Sequence, residues 1–469
     1  MEKNRRNFFK LTGLAGLGLA GSSFMKGFGA VSDNYFRSDD HQAAGAFNMS
    51  GYGAPKLDTV RVGFIGLGNR GPTHLGHADK IENVEVTALC DLRPEKVEKA
   101  KGLIKSKSDN LKVYSGSEDA WKNLCQQKDI DLIYIATPWH LHAPMAIYAM
   151  KQGKHVAIEV PCAVTLEECW DLVKTSESTR KHCVILENCC YDFFELLTLN
   201  MARQGFFGEI IHAEGAYLHD LLKSNFSKQK YYHMWRLTQN LRNGNLYPTH
   251  GLGPVAQIMN INCGDKMEFL VSVSSKDFMK GPMANELAEK DDEFKPFANK
   301  KFGGNINTTI ISTNKGRTIM LQHDVTSPNV YSRIHKVSGS KASALKYPLP
   351  AKISVGDDWA TPEELQALEE KYTPPIVKKI GAMAKEVGGH GGMDFLMNWR
   401  LIDCLRHGIA TDLNVYDAAL WSAIAPLTEK SVAGGSNSVK IPDFTKGWWK
   451  TNEPVDVFLQ KGGDTRIKV

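Results

Sequence analysis

Residues 60–65 form a short apolar run that leads directly into Gly66-Leu67-Gly68-Asn69-Arg70-Gly71, and Asp91 closes the next apolar run twenty residues beyond. No other stretch of the 469 residues constrains the fold as tightly. A strand, a Gly-x-Gly-x-x-Gly turn and a helical segment in that order, with an acid ending the following strand, form the fingerprint of a dinucleotide-binding βαβ unit. The first glycine permits the tight turn, the second lets the backbone approach a pyrophosphate, and the third allows close helix–strand packing. The helix N-terminus then faces the phosphates. An acid at Asp91 accepts hydrogen bonds from ribose hydroxyls and repels a 2′-phosphate, so NAD is favoured over NADP, with Arg93 nearby as the one dissenting residue.

Short apolar runs at 60–65, 84–89, 132–136 and 155–159 read as strands, with helical patterns at 143–152 and 166–180 between and after them. This is the texture of a parallel sheet. Beyond about residue 205, strand-like segments dominate, at 210–217, 269–275, 307–313 and 318–324. Helical patterns occupy 357–386, broken at Pro374-Pro375, then 393–407 and 415–431. The expected fold is α/β: an N-terminal Rossmann dinucleotide-binding domain (58–204), then an α+β domain with an open, mostly antiparallel sheet (205–440) and a C-terminal tail (441–469).

Lys3, Arg5, Arg6, Lys10 and Lys26 against Glu2 alone put most of the formal charge of +5 into the first thirty residues. The remainder is near neutral and carries no electrostatic footprint for nucleic acid. Asn4-Arg5-Arg6-Asn7-Phe8-Phe9-Lys10, followed by a short Gly/Ala/Leu stretch, resembles a twin-arginine export signal (1–30) ahead of a polar linker (31–57). That reading implies a twin-arginine translocase as partner and a periplasmic or otherwise exported protein. The apolar stretch is too short to span a bilayer, which takes about 20 residues, and no cysteine stands where a lipid anchor would attach. The nine cysteines include no Cys-x-x-Cys pair, so neither a disulfide framework nor a zinc site is indicated.

Thr137-Pro138-Trp139-His140-Leu141-His142 after the third of these strand runs and Glu159-Val160-Pro161 after the fourth resemble the Gfo/Idh/MocA oxidoreductase-like superfamily. Its dehydrogenases usually carry Glu-Lys-Pro, whose lysine exchanges a proton with the substrate hydroxyl. Val160 cannot. Together with Asn69-Arg70, Asn188, Tyr217, Arg236, Tyr247-Pro248-Thr249-His250 and Tyr331, this substitution resembles the signature of glycoside hydrolase family 109. The resemblance implies an NAD-dependent α-N-acetylgalactosaminidase acting on α-N-acetylgalactosaminide glycans. It implies a redox-neutral cycle: carbon 3 of the sugar is oxidised, the aglycone is eliminated across carbons 1 and 2, water adds, and the ring is reduced again.

On this resemblance, Gly66, Gly68, Asn69, Arg70, Asp91, Trp139, His140, Leu141, His142, Glu159, Val160 and Asn188 bind the cofactor. Tyr217, Arg236, Tyr247, Pro248, Thr249, His250 and Tyr331 bind the sugar, and His250, Tyr247 and Tyr331 carry the proton transfers. Spacing alone reads His250 as a helix-start histidine bonded to backbone. Tyr331 reads equally as a strand aromatic facing the core, and Arg236 as a surface residue packed on Trp235. His219-Asp220 and His390 with Asp394 have no companions at metal-ligand spacing, so no metal is expected. The open second sheet is a surface on which two copies of the chain can pair. The rival readings are an exported NAD(P)-dependent sugar oxidoreductase of the same fold, which Val160 argues against, and a catalytically silent binding module.

Overall fold

The computed structural model describes residues 47–105, 110–456 and 458–468. The export signal read at 1–30 and the linker up to residue 46 lie outside the described residues.

Two sheets organise the chain. β1 (Val60–Ile65), β2 (Val84–Asp91), β3 (Lys112–Ser115), β4 (Leu132–Ile135), β5 (His155–Ile158) and β6 (Cys183–Ile185) pair in parallel in the order β3-β2-β1-β4-β5-β6. Helices Gly71–Asp79, Pro94–Lys101, Ala120–Cys125, Trp139–Lys151 and Leu166–Thr179 alternate with these strands. The continuous apolar runs of β4 and β5 are buried throughout, as strands covered on both faces must be. The strand order reverses between β1 and β4, and the crevice at their carboxyl ends is where open α/β sheets bind ligands.

The second sheet comprises β7 (Ile210–Leu218), β8 (Met267–Ser274), β9 (Ile306–Thr313), β10 (Thr318–Asp324), β11 (Lys336–Gly339), β12 (Ala342–Leu345), β13 (Lys352–Val355), β14 (Asp358–Trp359) and β15 (Val439–Lys440). Their order is β14-β13-β12-β11-β7-β10-β9-β8-β15. Every neighbouring pair is antiparallel except β7 with β10. Alternation along β9 sends Asn307, Thr309, Ile311 and Thr313 inward, while Ile310 faces out. Helices Thr249–Ile258 and Val415–Ala433 cover the inner face.

The two sheets are welded by helices from the far end of the chain. Met393–His407 packs on β1 and the helix Gly71–Asp79, and Val415–Ala433 packs on Leu166–Thr179, β6 and β8. The last residues also return to the first sheet. Ile467 bridges Ile81, and the Trp399 indole N–H donates to the Thr465 carbonyl at 2.9 Å.

The span 357–386 departs from the helical expectation at its start, where Asp358–Trp359 form the edge strand β14. Helix Pro362–Tyr372 begins only after Thr361, whose hydroxyl accepts from the Glu364 N–H in a capping box. Pro374-Pro375 ends it as expected, and Pro375 opens Pro375–Val387.

Burial pushes His77 and His182 down to about 4 and His323 and His335 down to about 3. Unfolded histidines protonate near pH 6.5 while these four stay neutral, so between about pH 6.5 and 4 the unfolded state binds more protons. Stability is therefore expected to fall on acidification through that window, by up to about 1.4 kcal/mol per pH unit for each histidine. Thermal unfolding should show a Tm several degrees lower at pH 5 than at pH 7; equal values would contradict neutral burial of these rings.

Candidate active site

The glycine-rich turn is built as its sequence requires. Gly66 has φ +90°, and a Cβ there would lie 2.6 Å from the Ala136 carbonyl oxygen of the β4 end. A Cβ on Gly71 would collide with the carbonyl of Gly66. Gly68 differs, because a Cβ there would meet only the Arg93 guanidinium at 3.7 Å and would otherwise project into a cleft of about 760 Å³. The helix beginning at Gly71 has no side-chain cap and no acid in its first turn, so its positive end is left for an anion. Asp91 accepts from the Leu67 N–H at 2.7 Å and from the Arg93 N–H at 3.0 Å, which fixes the turn against the end of β2. A turn with an open backbone approach, an uncapped helix start and an acid beside it fits the diphosphate and ribose of NAD.

The cleft floor is a buried ionic network. Arg70 donates to Glu159 at 2.7 Å and to Asp394 at 3.0 Å, and His74 Nε2 lies 2.8 Å from the same Glu159 oxygen. Asn188 donates to Asp394, which also holds His390 at 2.8 Å. Burial pushes both carboxyls up, but Arg70 with His74 for Glu159, and His390 with Arg70 for Asp394, outweigh it and hold them well below the usual range. Arg70, Glu159 and Asn188 thus line the cleft, Arg70 paired with Glu159 and both Arg70 and Asn188 donating to Asp394. Trp139, His140, Leu141 and Val160 line it beside them. His142 lines the cleft as well, and its two ring nitrogens lie 2.7 Å from the carbonyl oxygens of Pro161 and Thr137, so it also braces the loop after β4.

Across the cleft, helix Thr249–Ile258 starts at the Tyr-Pro-Thr-His stretch. Pro248 and Thr249 are buried behind the wall, whereas Tyr247 and His250 line it. His250 Nδ1 lies 2.7 Å from Glu187 Oε1. Glu187, fully buried two residues past β6, also accepts from the Cys189 N–H at 3.1 Å. Burial raises the pKa of Glu187, and the charge and hydrogen bond of His250 outweigh it, leaving a carboxylate. The pair fixes the imidazole and frees Nε2, the arrangement of an oriented acid/base histidine. The helix-start position anticipated for His250 is correct; its partner is a carboxylate rather than backbone.

Aromatic rings surround this pair. Tyr217 contacts Tyr247 and His250 at centroid distances of 4.8 and 5.3 Å, and Trp139 stacks on Tyr247 at 5.6 Å. Arg236 lies over Trp139, Tyr231 and Tyr247 at 5.1–5.3 Å and donates to the Tyr231 hydroxyl, so it belongs to the cleft wall rather than to the surface. Tyr331 stands on neither a strand nor the core. It is 37% exposed on the connection after β10, edge-on to Tyr217 at 6.2 Å. Glu187, Cys189 and His250 bring one potential ligand atom each within 4.8 Å of one another. However, the Cys189 sulfur faces the Arg333 guanidinium at 2.8 Å, and burial holds its thiol protonated, which disfavours a cation there.

Residues 60–187 match the family described as "Oxidoreductase family, NAD-binding Rossmann fold", and residues 191–451 match "Glycosyl hydrolase 109, C-terminal domain". The chain belongs to glycoside hydrolase family 109. Glycosyl hydrolase family 109 protein 1 of Bacteroides fragilis (strain YCH46) is 49% identical over 424 residues, covering 87% of this chain and 89% of the relative. A Bacteroides fragilis protein named alpha-N-acetylgalactosaminidase is 48% identical over 412 residues, covering 86% and 96%. Among solved structures, an NAD binding oxidoreductase from Klebsiella pneumoniae superposes with a TM-score of 0.63 at 15% identity, covering 82% of this chain and 99% of that one. Levoglucosan dehydrogenase in complex with NADH gives 0.60 at 18%, covering 82% and 100%. These two share the fold.

In this family 109 chain the segment 228–239 closes the cleft from the second-sheet side, supplying Lys230, Tyr231, Tyr232, Trp235 and Arg236. Asn69 Nδ2 donates to the Lys230 carbonyl at 2.8 Å, and the Arg93 guanidinium lies 4.7 Å from the Tyr232 ring, so the glycine turn and this segment are clasped together. Sequence reasoning missed Glu187, the segment's aromatics and the Arg70–Asp394 pair. Glu187 stands two residues past β6, on the carboxyl side where ligands bind, but a strand of three residues is too short to mark it from sequence.

Gly68→Val is expected to fold and to purify without NAD, because its side chain fills the open approach. Gly71→Ala should instead lower Tm, since its Cβ meets backbone. Cofactor content by absorbance and unfolding temperature separate the two; a Gly68→Val protein that retains NAD would contradict the assigned cradle.

Proposed function

We propose that this chain is an exported α-N-acetylgalactosaminidase that uses NAD without consuming it. The observation that carries the reading is the His250–Glu187 pair facing the glycine turn across one cleft, with Val160 where a dehydrogenase's lysine would stand. The Bacteroides fragilis relative named alpha-N-acetylgalactosaminidase supports the sugar and the anomer.

When bound, NAD supplies a reversible acceptor for hydride from a sugar carbon. Gly66, Gly68, Asn69 and Asp91 would hold it, with the helix start at its phosphates and Asp91 at its ribose. Proton movement falls to the chain. His250 Nε2, kept in orientation by Glu187, is the base and acid at the sugar. Tyr247 and Tyr331 are further donors, with Tyr217 and Arg236 holding sugar oxygens. Burial pushes the phenol of Tyr247 well up, so it serves as a hydrogen-bond donor and acid rather than as a standing base. The aromatic wall excludes water from the reacting carbons and offers apolar faces to a sugar ring.

The export reading rests on the paired arginines. A twin-arginine translocase carries folded protein, so a cofactor bound in the cytoplasm travels with it and a redox-neutral cycle needs no fresh supply. Arg5→Lys with Arg6→Lys should leave the enzyme in the cytoplasm, and wild-type periplasmic protein should carry NAD. Secreted protein that is empty and needs added NAD would overturn this. The outer face of the second sheet, with Phe269, Val273 and Ile310 exposed, supports self-association.

Elimination must remove and restore the hydrogen at carbon 2, whereas direct displacement leaves it. In deuterium oxide the sugar released from a chromogenic α-N-acetylgalactosaminide should carry deuterium at carbon 2, with no NADH building up and no cleavage of the β-anomer. NADH accumulating on sugar alone would favour the oxidoreductase reading. His250→Ala should lose about 10²–10⁴-fold in kcat while keeping its NAD.

A further inference from the structure

The cleft holds a second hydrogen-bonded couple besides His250 and Glu187. Tyr217 lies near the end of β7 and His219 follows two residues on, so the alternation of an extended chain puts both side chains on the same side. The Tyr217 hydroxyl lies 3.1 Å from His219 Nδ1, and both residues line the cleft. Their backbone is fixed from both flanks. Leu218 bridges Ser332, and the His219 N–H donates to the Asp324 carbonyl at 2.9 Å. Tyr217 is buried, whereas His219 is half-buried and so has a route to solvent.

Arg236 has donors only, and its positive charge lies beside the Tyr217 phenol. A relay through the pair uses the tautomer in which the phenol O–H donates to His219 Nδ1 and the ring's own proton sits on Nε2. The groups facing His219 come from four directions. Arg236 and Lys230 lie on the clasping segment, His250 on helix Thr249–Ile258, Asp220 next in the chain, and Tyr331 edge-on at 5.0 Å. Burial, and then the charges of Arg236 and Lys230, lower the pKa of His219 against the opposing Asp220. A neutral acceptor therefore stands behind the phenol at neutral pH.

We infer that His219 is the proton-relay partner of Tyr217, a positioning residue that lets this tyrosine take a proton from a sugar hydroxyl and give it back. The transfer balances. One O–H bond breaks on the sugar as one forms on the Tyr217 oxygen, and the phenol's original O–H breaks as an N–H forms at His219 Nδ1. The positive charge on the imidazole is matched by the negative charge left on the sugar oxygen, and the reverse transfer restores both. His219 itself touches no reacting atom. The inference rests on the glycosidase reading of the cleft, and it gives that reaction a second acid/base couple on the wall beside His250, as proton transfers at more than one sugar atom require.

The test compares His219→Asn, Tyr217→Phe and the double variant on a chromogenic α-N-acetylgalactosaminide from pH 5 to 9, with NAD content measured for each. Asparagine can keep an acceptor oxygen near the phenol but cannot take a proton. His219→Asn is expected to lose about 10²-fold in kcat, with NAD content and KM nearly unchanged and with a flatter acid limb. Added to Tyr217→Phe it should cost almost nothing more, because the relay has already lost its phenol. Turnover of His219→Asn within about threefold of wild type, or losses that multiply in the double variant, would overturn the inference. A second measurement does not depend on turnover. In ¹⁵N-histidine spectra, the ring signals that vanish in His219→Asn should be those of a neutral Nε2–H imidazole titrating below pH 6.5, and they should shift in Tyr217→Phe. An Nδ1–H tautomer there would sink the relay. If wild-type protein releases no sugar, the glycosidase reading falls, and the nitrogen spectrum alone decides on the pair.

Discussion

Arg70 holds the molecule's working parts in register. It leaves the glycine turn and reaches Glu159 at the end of β5 and Asp394 at the start of a helix more than three hundred residues away, while Asn188 after β6 joins the same acid. Four segments with no local reason to meet are tied by charges that burial makes expensive to leave unpaired. Removing one partner of such a pair typically costs about 3–5 kcal/mol, far more than a surface ion pair contributes. The network therefore specifies how the first sheet, the glycine turn and the C-terminal helices sit together.

With that floor fixed, the remaining chemistry is arranged on the opposite wall. Glu187 orients His250, Tyr217 lies edge-on to His250, and Arg236 stands in a box of aromatic rings. The cofactor cradle lies on the first sheet and most of the proton-handling groups on the second, with Glu187 after β6 reaching across to His250 and the clasp at Asn69–Lys230 and Arg93–Tyr232 joining the two sides. A hydride acceptor on one side and acid/base groups on the other suit a reaction in which a sugar is oxidised and reduced again without leaving.

Legibility tracked the range of the forces involved. β1, β4 and β5 could be read because strands covered on both faces are apolar at nearly every position. β3 and β6 could not, being four and three residues long. The hairpin strands β11–β14 escaped because small and polar residues such as Ser338, Ser343 and Ser354 carry little hydrophobic period. Among site residues, Gly66, Gly68 and Asp91 were legible from local backbone demands. Glu187, His219 and the Arg70–Asp394 pair were not, since their meaning lies in partners distant in sequence or in the orientation of a ring.

The sequence by itself determined the nucleotide turn, because the steric needs of Gly66 and Gly71 and the place of Asp91 are properties of a short βαβ stretch. It also determined that no lysine follows Glu159, and so which kind of proton chemistry the chain lacks. The tertiary structure alone decided how the remaining candidates are arranged. Whether His250 meets a carboxylate or a backbone carbonyl, whether Arg236 lies on a surface or in a cleft, and which nitrogen of His219 is free all depend on contacts across two sheets. Those contacts arise from burial and from the pairing of desolvated charges, which act through space and leave no period along the chain.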